Sequence, residues 1–323
     1  MPTVWEDPGV DEVDRKHDIE LQRRTALGSA SEYVRRRLLP ALGIAGTTFR
    51  LEIPGDGVRS LTFFVLVEGG PRLVLRCVKS LKDSQWLGAA IDVFVEHGLP
   101  APRQAHRDAG LWAHVRWGFA AFTEDLVAGK PAGPDLSEAE LEGLGTAYGR
   151  VHATESRRSG KPHRLGGGDV VAERLEWLHR LARETAVRLP GLGGALDAET
   201  RALSDARPRP PELHSLCHNR VTQANVIVRP DASVLLIDLE RVKFGSHLHE
   251  LALLEAEVLA GSEQAFEGFL RGYARSTPDR LLPEAQAAAW AWHRRAVRLK
   301  RARDAAVAGD AERARRALGS GVG

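Results

Sequence analysis

Cysteine is scarce in this sequence, and a long apolar run is absent from it. Cys77 and Cys217 are the only cysteines among 323 residues, so no disulfide framework is implied and a reducing cytoplasm is the expected location. No run of about 18 apolar residues occurs, so neither a transmembrane helix nor a membrane partner is expected. Residues 1–18 are acidic and lack the charged-then-apolar order of a signal peptide.

Charge of one sign is not in excess either. The 45 lysines and arginines nearly balance the 43 aspartates and glutamates, which leaves a net charge of +2. This balance gives no electrostatic basis for binding nucleic acid across the whole chain. The 12 histidines do not have the spacing of a zinc site. With 43% hydrophobic residues, a chain of this length fits one bilobed domain or two domains.

The most informative stretch is residues 216–240. Two apolar segments in it are separated by the polar residues 229–233, a pattern that predicts a β-hairpin. Such a hairpin brings Asn225, at the mouth of the first strand, near Asp238, close to the end of the second. An amide oxygen and a carboxylate suit Mg²⁺, which keeps part of its shell for water and substrate phosphates. The stretch therefore predicts a magnesium site.

The first part of the chain is predicted to combine helices with a small sheet. Hydrophobic periodicity indicates helices over 20–42 and 81–97, and strands over 48–53, 61–67 and 73–78. The apolar segment 111–122 indicates a further hairpin of two strands. Gly55 and Gly57 lie in the turn after the first strand, where backbone amides can approach phosphates. The same glycine pattern also occurs in ordinary turns.

The rest of the chain is predicted to be mainly helical. The expected helices span residues 137–153, 170–188, 194–206, 251–259, 263–274 and 284–308. Ser137 and Glu140 have the spacing of a capping box at the start of the first of these. The last helix carries a run of arginines and lysines, which is typical of a solvated face or, alternatively, attracts an anionic acceptor or peptide.

The central stretch resembles a known family. His218, position 220 and Asn225 have the His-x-Asp-x-x-x-x-Asn spacing of a kinase catalytic loop. The segment Ile237-Asp238-Leu239-Glu240 is similar to the metal-binding segment that follows such a loop. These two motifs most resemble those of the aminoglycoside phosphotransferase and choline kinase family, and the resemblance extends over about residues 48–275.

The resemblance implies an α+β, bilobed, protein-kinase-like fold. In that fold a small antiparallel β-sheet forms the N-lobe, and a mainly helical C-lobe carries the catalytic-type loop and the acceptor site. The implied divisions are residues 1–46 as an N-terminal extension and helix, 47–127 as the N-lobe, and 128–323 as the C-lobe.

ATP, or another nucleoside triphosphate, and Mg²⁺ are the cofactors that the resemblance implies. Asn225 and Asp238 are the implied metal ligands. The residues implied to contact the nucleotide phosphates are Gly55 and Gly57 of the turn and Arg76 of the third strand, with Lys79 as its alternative. The segment 123–131 resembles the hinge between the two lobes, where the backbone groups of Glu124 and Leu126 are implied to contact the adenine edge. The glutamate that usually pairs with the strand cation has no clear counterpart in the helix over residues 81–97.

Arg220 is the main departure from the family. It stands where the family keeps the aspartate that orients the acceptor hydroxyl and takes its proton, and a guanidinium cannot act as a base. Arg220 and His218 are the candidate catalytic-loop residues, with His218 expected to shape the loop by packing and hydrogen bonding. A positive charge at this position predicts altered chemistry in the loop.

Three functions remain open from the sequence. In the first, the protein is a phosphotransferase that acts on a hydroxyl of a small molecule or peptide, and Arg220 binds phosphate or an acidic acceptor. Alternatively, it is a pseudokinase that binds nucleotide or a partner protein without transfer, or it performs another nucleotide-dependent reaction. The family's antibiotic pockets are acidic, whereas acidic and basic residues are mixed around this loop, which does not indicate a polycationic ligand.

Overall fold

The computed structural model of the chain describes residues 12–54 and 61–319. These residues fall into two compact units. The first unit contains the described residues up to Gly88 together with Pro102–Ala128, and the second contains Ala89–Ala101 and the chain from Gly129 onward. The domain boundaries predicted at residues 46 and 127 stay predictions.

Helices and short strands account for most of the described chain. The strands are β1 Phe49–Glu52, β2 Leu61–Val67, β3 Arg72–Val78, β4 Gln104–Asp108, β5 Ala120–Asp125, β6 Lys130–Pro131, β7 Glu155–Ser156, β8 Ser159–Lys161, β9 Arg164–Gly166, β10 His214–Cys217, β11 Val226–Val228, β12 Val234–Leu236 and β13 Lys243–Gly245. The α-helices are α1 Glu12–Tyr33, α2 Leu39–Ala41, α3 Leu81–Glu96, α4 Leu111–Trp117, α5 Glu138–His152, α6 Val170–Arg188, α7 Gly193–Asp205, α8 His247–Leu253, α9 Glu263–Ala274, α10 Ala287–Val307 and α11 Ala311–Gly319. Two π-helical segments, Val34–Leu38 and Leu254–Val258, extend α1 and α8.

The first unit is built on an antiparallel sheet with the strand order β1-β2-β3-β5-β4. In β2 every second residue is buried, as expected when one face of a strand lies on the core. Ala30, Tyr33 and Val34 from the N-terminal helical segment join the buried residues of β2 and β3 in one apolar cluster. The helix predicted before the sheet is therefore part of this unit's core.

The prediction of two strands over residues 111–122 is wrong for its first half. Residues 111–117 form the helix α4, and β5 pairs instead with β4. Gly118 explains where the helix stops: it has a φ of 76° and its N–H donates to the carbonyl of His114 at 2.9 Å. Ala113 is the buried residue of α4, whereas the larger apolar side chains that suggested a strand are mostly exposed.

The second unit contains the remaining helices and two small sheets, with strand orders β7-β10-β13-β8-β9 and β12-β11-β6. Ser137 caps α5 in the predicted capping box. Helices α5 and α9 approach each other so closely that a methyl group on Gly145 or Gly272 would meet backbone oxygen of the other helix. Trp292 of α10 packs with leucines of α6 and α7 and donates its indole N–H to the carbonyl of Leu203 at 2.7 Å.

The basic run of α10 is paired within the protein. Its lysines and arginines reach acids on α6, α7 and the second π-helical segment, namely Glu184, Glu199, Glu255 and Glu257. These ion pairs link the helix to its neighbours, so the basic run is not a fully solvated face, and its attraction for an anionic acceptor or peptide stays a prediction. Within the described residues, no helix has both the length and the apolar character needed to cross a membrane.

Candidate functional site

The predicted hairpin between residues 216 and 240 is confirmed. Strands β11 and β12 pair antiparallel, with Val226 opposite Leu236. The N–H of Ile237 donates to the carbonyl of Asn225 at 3.0 Å, which continues the ladder by one residue. The backbone thus holds Asn225 beside the residue that precedes Asp238, as the sequence predicts.

Three residues between positions 216 and 240 have backbone conformations that non-glycine residues rarely adopt. Ala232, with a φ of 61°, lies in the hairpin turn, whereas Asn219, next to His218, has a φ of 58° and Asp238 has a φ of 66°. Such conformations persist only where the surrounding contacts enforce them, and they cluster at binding and catalytic sites. The left-handed turn at Asp238 ends the strand direction and starts a short 3₁₀ turn over Leu239–Arg241.

Asn225 keeps one side-chain atom available. Its Nδ2 donates to the carbonyl of Arg220 at 2.9 Å, which fixes the amide plane. Within the described part of the chain, Oδ1 of the same amide makes no hydrogen bond. The oxygen that a cation would use is therefore free, while the nitrogen holds the loop.

Arg220 lies against the second predicted metal ligand. Its Nη1 forms an ion pair with Oδ2 of Asp238 and lies 3.7 Å from Oε2 of Glu240. The Arg220 side chain is 28% exposed and that of Asp238 is 12% exposed, so water screens this pair only partly. The guanidinium retains its charge at every physiological pH and thereby neutralises the carboxylate at the end of the hairpin.

These groups fit Mg²⁺ by atom type but not by charge. An amide oxygen and carboxylates are the ligands that Mg²⁺ uses in proteins, and Asn225 and Asp238 supply them. A divalent cation at Asp238 would, however, meet the positive charge of Arg220 already bound there. Metal binding at this hairpin therefore requires either that Arg220 moves away or that the two cations share the carboxylate.

His218 is a positioning residue. Its ring is buried, and Nε2 lies 2.8 Å from the carbonyl of Ile237, directly before Asp238. The backbone N–H of His218 donates to Oε2 of Glu250 at 2.9 Å. A residue enclosed in this way links the loop to the hairpin and does not face a substrate.

Glu250 holds the loop from α8. Besides His218, its carboxylate accepts from the backbone N–H of Asn219 at 2.5 Å and lies 2.9 Å from Nε2 of His152. Burial acts to raise the pKa of Glu250, but the His152 ring and the Asn219 amide outweigh it and hold the pKa below its usual value. Glu250 therefore fixes the backbone of the catalytic-type loop at His218 and Asn219.

A possible metal cluster next to this network is better explained by hydrogen bonds. His152, Cys217 and Glu250 place ligand atoms within 4.8 Å of one another. Both carboxylate oxygens of Glu250 and both ring nitrogens of His152 already have partners, Tyr273 being the second partner of the histidine at 3.0 Å. Burial raises the pKa of the Cys217 thiol, which opposes the thiolate that a metal needs.

In the first unit, Arg76 has an acidic partner that the sequence did not identify. Its Nε lies 3.4 Å from Oε1 of Glu124 on β5, and both side chains are largely buried. The acid therefore comes from the sheet, although the resemblance suggested a helix. Because Glu124 was assigned a role through its backbone alone, no signal in the sequence pointed to this pair. The alternative cation, Lys79, is exposed just beyond β3.

The other predicted nucleotide contacts stay predictions. Gly55 and Gly57 lie outside the described residues. The N–H of Leu126 donates to the carbonyl of Arg72 at 2.8 Å, so a contact from this residue to an adenine edge would have to use its carbonyl group.

Comparison with known proteins matches residues 50–284 to the phosphotransferase enzyme family. Among solved structures, a spectinomycin phosphotransferase in complex with ADP and spectinomycin has a TM-score of 0.60 at 15% identity, covering 88% of this chain and 88% of that one. An aminoglycoside phosphotransferase from Alicyclobacillus acidocaldarius has a TM-score of 0.57 at 16% identity, covering 84% and 90%. The choline kinase of Streptococcus pneumoniae has a TM-score of 0.57 at 15% identity, covering 90% and 99%.

A search of curated proteins found no match. The structural similarities, at these identities, concern the fold. They confirm the predicted α+β, kinase-like architecture, and the family match confirms the resemblance seen in the sequence.

Proposed function

We propose that this chain, which belongs to the phosphotransferase enzyme family, binds ATP and has lost efficient phosphoryl transfer through its catalytic-type loop. The observation that carries the proposal is the ion pair between Arg220 and Asp238. It places a permanent positive charge on a carboxylate that the family uses for metal, and it leaves the loop without an acid at position 220.

The loss of the acid has a calculable consequence. General acid–base catalysis contributes about 10²–10⁴-fold to a reaction rate, and Arg220 can neither accept a proton nor orient a hydroxyl as an acceptor. Phosphoryl transfer depends more on positioning and charge than on deprotonation, so a residual slow reaction is compatible with this loop. We therefore expect ATP binding without turnover on the time scale of an active kinase.

Nucleotide binding is supported by several features. A fold relative was solved with ADP, the Oδ1 of Asn225 is available, and Arg76 is oriented by Glu124. Asn225 and Asp238 would hold Mg²⁺, whose chemistry when bound is to neutralise phosphate charge. Arg220 already supplies part of that charge from the protein itself, so ATP is expected to bind with a weaker requirement for Mg²⁺ than in a kinase with an aspartate at this position.

A second candidate function is slow phosphotransfer to a hydroxyl of a small molecule or peptide. It is favoured by the retained pairing of Asn225 with the backbone of Ile237 and by the left-handed turn at Asp238. In this case Arg220 leaves Asp238 and contacts a phosphate oxygen. A cytoplasmic location is proposed for both functions, since the two cysteines are free thiols.

Isothermal calorimetry with ATP, in the presence and absence of Mg²⁺, tests the proposal. The wild type is expected to bind in both conditions. The variant Asp238→Ala should change the affinity, whereas Asp205→Ala, which removes an exposed carboxylate at the end of α7, should not. Absence of heat with every nucleotide would contradict ATP binding. Acceptor-dependent multiple turnovers that are slow but above the protein-free rate would favour the second function.

A further inference from the structure

The outer face of α4, formed by Leu111, Trp112 and Val115, is apolar and exposed. Leu111 and Trp112 are each 65% exposed, and Val115 is 79% exposed. At about 100° per residue these three positions share one side of the helix, while Ala113, which is buried, and Trp117, which is half-buried, lie on the opposite side. The solvent side of a surface helix normally carries polar residues. Neighbouring exposed apolar side chains therefore indicate a surface that a partner covers.

The inner contacts of α4 hold this face outward. The ring of Trp117 packs edge-on against that of Tyr33, with ring centres 5.5 Å apart, and joins the apolar core of the first unit. Nε2 of His114 lies 3.2 Å from Oγ of Ser84, which is buried near the start of α3. Turning the outer face inward would break these contacts and expose Ala113. The fold therefore presents the outer face to solvent in a fixed orientation.

Exposed arginines lie beside the outer face. Nη2 of Arg116, in α4 itself, lies 3.8 Å from Oε1 of Glu32, and Nη1 of Arg36 lies 3.3 Å from the same oxygen. Nε of Arg37 lies 3.3 Å from Oδ2 of Asp108, shortly before α4. All three arginine side chains are exposed, whereas that of Asp108 is largely covered. Three arginines thus share two acids, which leaves an excess of positive charge beside the outer face.

This charge decides between the candidate occupants of the outer face. A second copy of the chain, docked by the same face, would bring arginines against arginines, which is unfavourable. The occupant must instead be apolar within and negative at its surface. An anionic lipid bilayer has both properties, since its acyl chains lie beneath phosphate groups, and tryptophan favours the membrane–water interface. A protein groove with an acidic rim is the alternative occupant, and experiment distinguishes it from lipid.

We propose that the outer face of α4 inserts Leu111, Trp112 and Val115 into the headgroup region of an anionic lipid bilayer. The neighbouring arginines then contact the lipid phosphates, which guanidinium groups bind through paired N–H donors. A helix that lies in the interface needs no apolar run long enough to span the membrane. The contact is therefore compatible with the absence of a spanning helix among the described residues, and it replaces the expectation that the protein has no membrane partner.

Vesicle co-sedimentation without nucleotide tests the proposal. The wild type should bind vesicles of equimolar phosphatidylcholine and phosphatidylserine, less strongly as salt is added, and should bind phosphatidylcholine vesicles much more weakly. Trp112→Ser should weaken binding to the mixed vesicles about 10-fold or more, because the burial of a large apolar side chain is lost. Arg36→Gln should weaken it about 5-fold, as expected for one cation near an anionic surface. Val187→Ser, which removes an exposed apolar side chain of α6 in the second unit, should bind like the wild type.

Fluorescence shows whether Trp112 itself enters the lipid. Trp112→Phe keeps an apolar ring and should still bind the mixed vesicles, so the difference between the wild-type and variant emission reports Trp112 among the seven tryptophans. When the acyl chains are brominated, this difference emission should be quenched in the mixed vesicles. An unquenched difference signal from vesicle-bound protein would contradict insertion.

Three further results would overturn the proposal. The first is wild-type binding to the mixed vesicles no stronger than binding to phosphatidylcholine alone, which would leave a protein as the occupant. The second is vesicle binding that Trp112→Ser leaves unchanged, which would place the lipid contact elsewhere. The third is a wild-type dimer in analytical ultracentrifugation that Trp112→Ser dissociates, which would assign the outer face to a second copy of the chain.

Two properties of the outer face keep these outcomes interpretable. The replaced side chains are exposed, so the urea midpoints of the variants should match that of the wild type. The outer face lies wholly within the first unit and the experiments contain no nucleotide, so a failure to bind lipid is separate from a failure to bind ATP.

Discussion

The substitution Glu250→Gln is expected to destabilise the second unit strongly, because one buried carboxylate organises the catalytic-type loop. Its side chain is 2% exposed and accepts from the backbone amides of His218 and Asn219 and from the ring of His152. Glutamine has nearly the same shape but no charge, and its amide group turns a donor toward one of these donors.

The expected loss follows from the kind of bonds removed. Each hydrogen bond to a charged group contributes about 1.5–3 kcal/mol, and breaking a buried charged pair costs about 3–5 kcal/mol. The contributions overlap because they share one carboxylate, so they are not summed. We expect Glu250→Gln to lower the free energy of unfolding by about 3–5 kcal/mol, measured by urea denaturation at neutral pH.

Glu257→Gln is the matched control. Glu257 is 31% exposed and lies 3.9 Å from Nζ of Lys300, so its loss should cost less than about 1 kcal/mol. If Glu250→Gln also costs less than about 1 kcal/mol, the carboxylate does not hold the loop and the reasoning is wrong.

The same carboxylate predicts a pH dependence. Burial raises the pKa of Glu250, but the bond from His152 and the amide of Asn219 leave it lower than in the unfolded chain. The ionised form therefore stabilises the fold above the unfolded pKa, and this contribution is lost as the pH falls through the folded pKa. Urea midpoints of wild type and Glu250→Gln should converge on acidification. A difference that stays constant with pH would contradict this assignment.

Three further predictions concern stability. Lys243→Met should be more stable than the wild type by about 1–2 kcal/mol at neutral pH. The folded pKa of Lys243 is lowered from 10.5 to about 8, so the unfolded chain binds more protons between these two pH values. The stability of the wild type therefore rises with pH over that interval. In urea titrations, the difference in stability between the wild type and Lys243→Met should disappear above the upper end of the interval. Ser137→Ala removes the cap of α5 and should cost about 1 kcal/mol by urea denaturation, with Ser204→Ala as a non-capping control. Gly272→Ala should lower the thermal midpoint far more than Ala274→Gly, because its methyl group meets the backbone of Glu142, and an unchanged midpoint would argue against the close helix crossing.

Much of the fold was predictable because its signals are local. The alternation in β2, the capping sequence at Ser137 and the apolar segments around the central turn each specify their own element. The helix α4 was not predictable in this way, since Leu111, Trp112 and Val115 are exposed and their apolar character does not report a buried face. A short apolar segment alone does not distinguish a strand from a helix.

The site was predictable where neighbours in sequence are neighbours in space. A hairpin brings Asn225 and Asp238 together, so their proximity follows from the strand pattern. The pairing of Arg76 with Glu124 depends on which strand lies beside β3, and the bond from His152 to Glu250 depends on how α5 and α8 are placed. Such contacts are set by tertiary packing, which the order of residues does not state directly.

The central claim is that Arg220 silences the loop by occupying Asp238. The most direct test is the rate of ATP turnover at saturating ATP and Mg²⁺, compared between the wild type and Arg220→Asp. The account predicts a wild type that binds ATP without turnover above the protein-free rate, and a gain of about 10²-fold or more when the acid is restored. Turnover by the wild type that Arg220→Asp abolishes would contradict it and would assign Arg220 a working role in transfer.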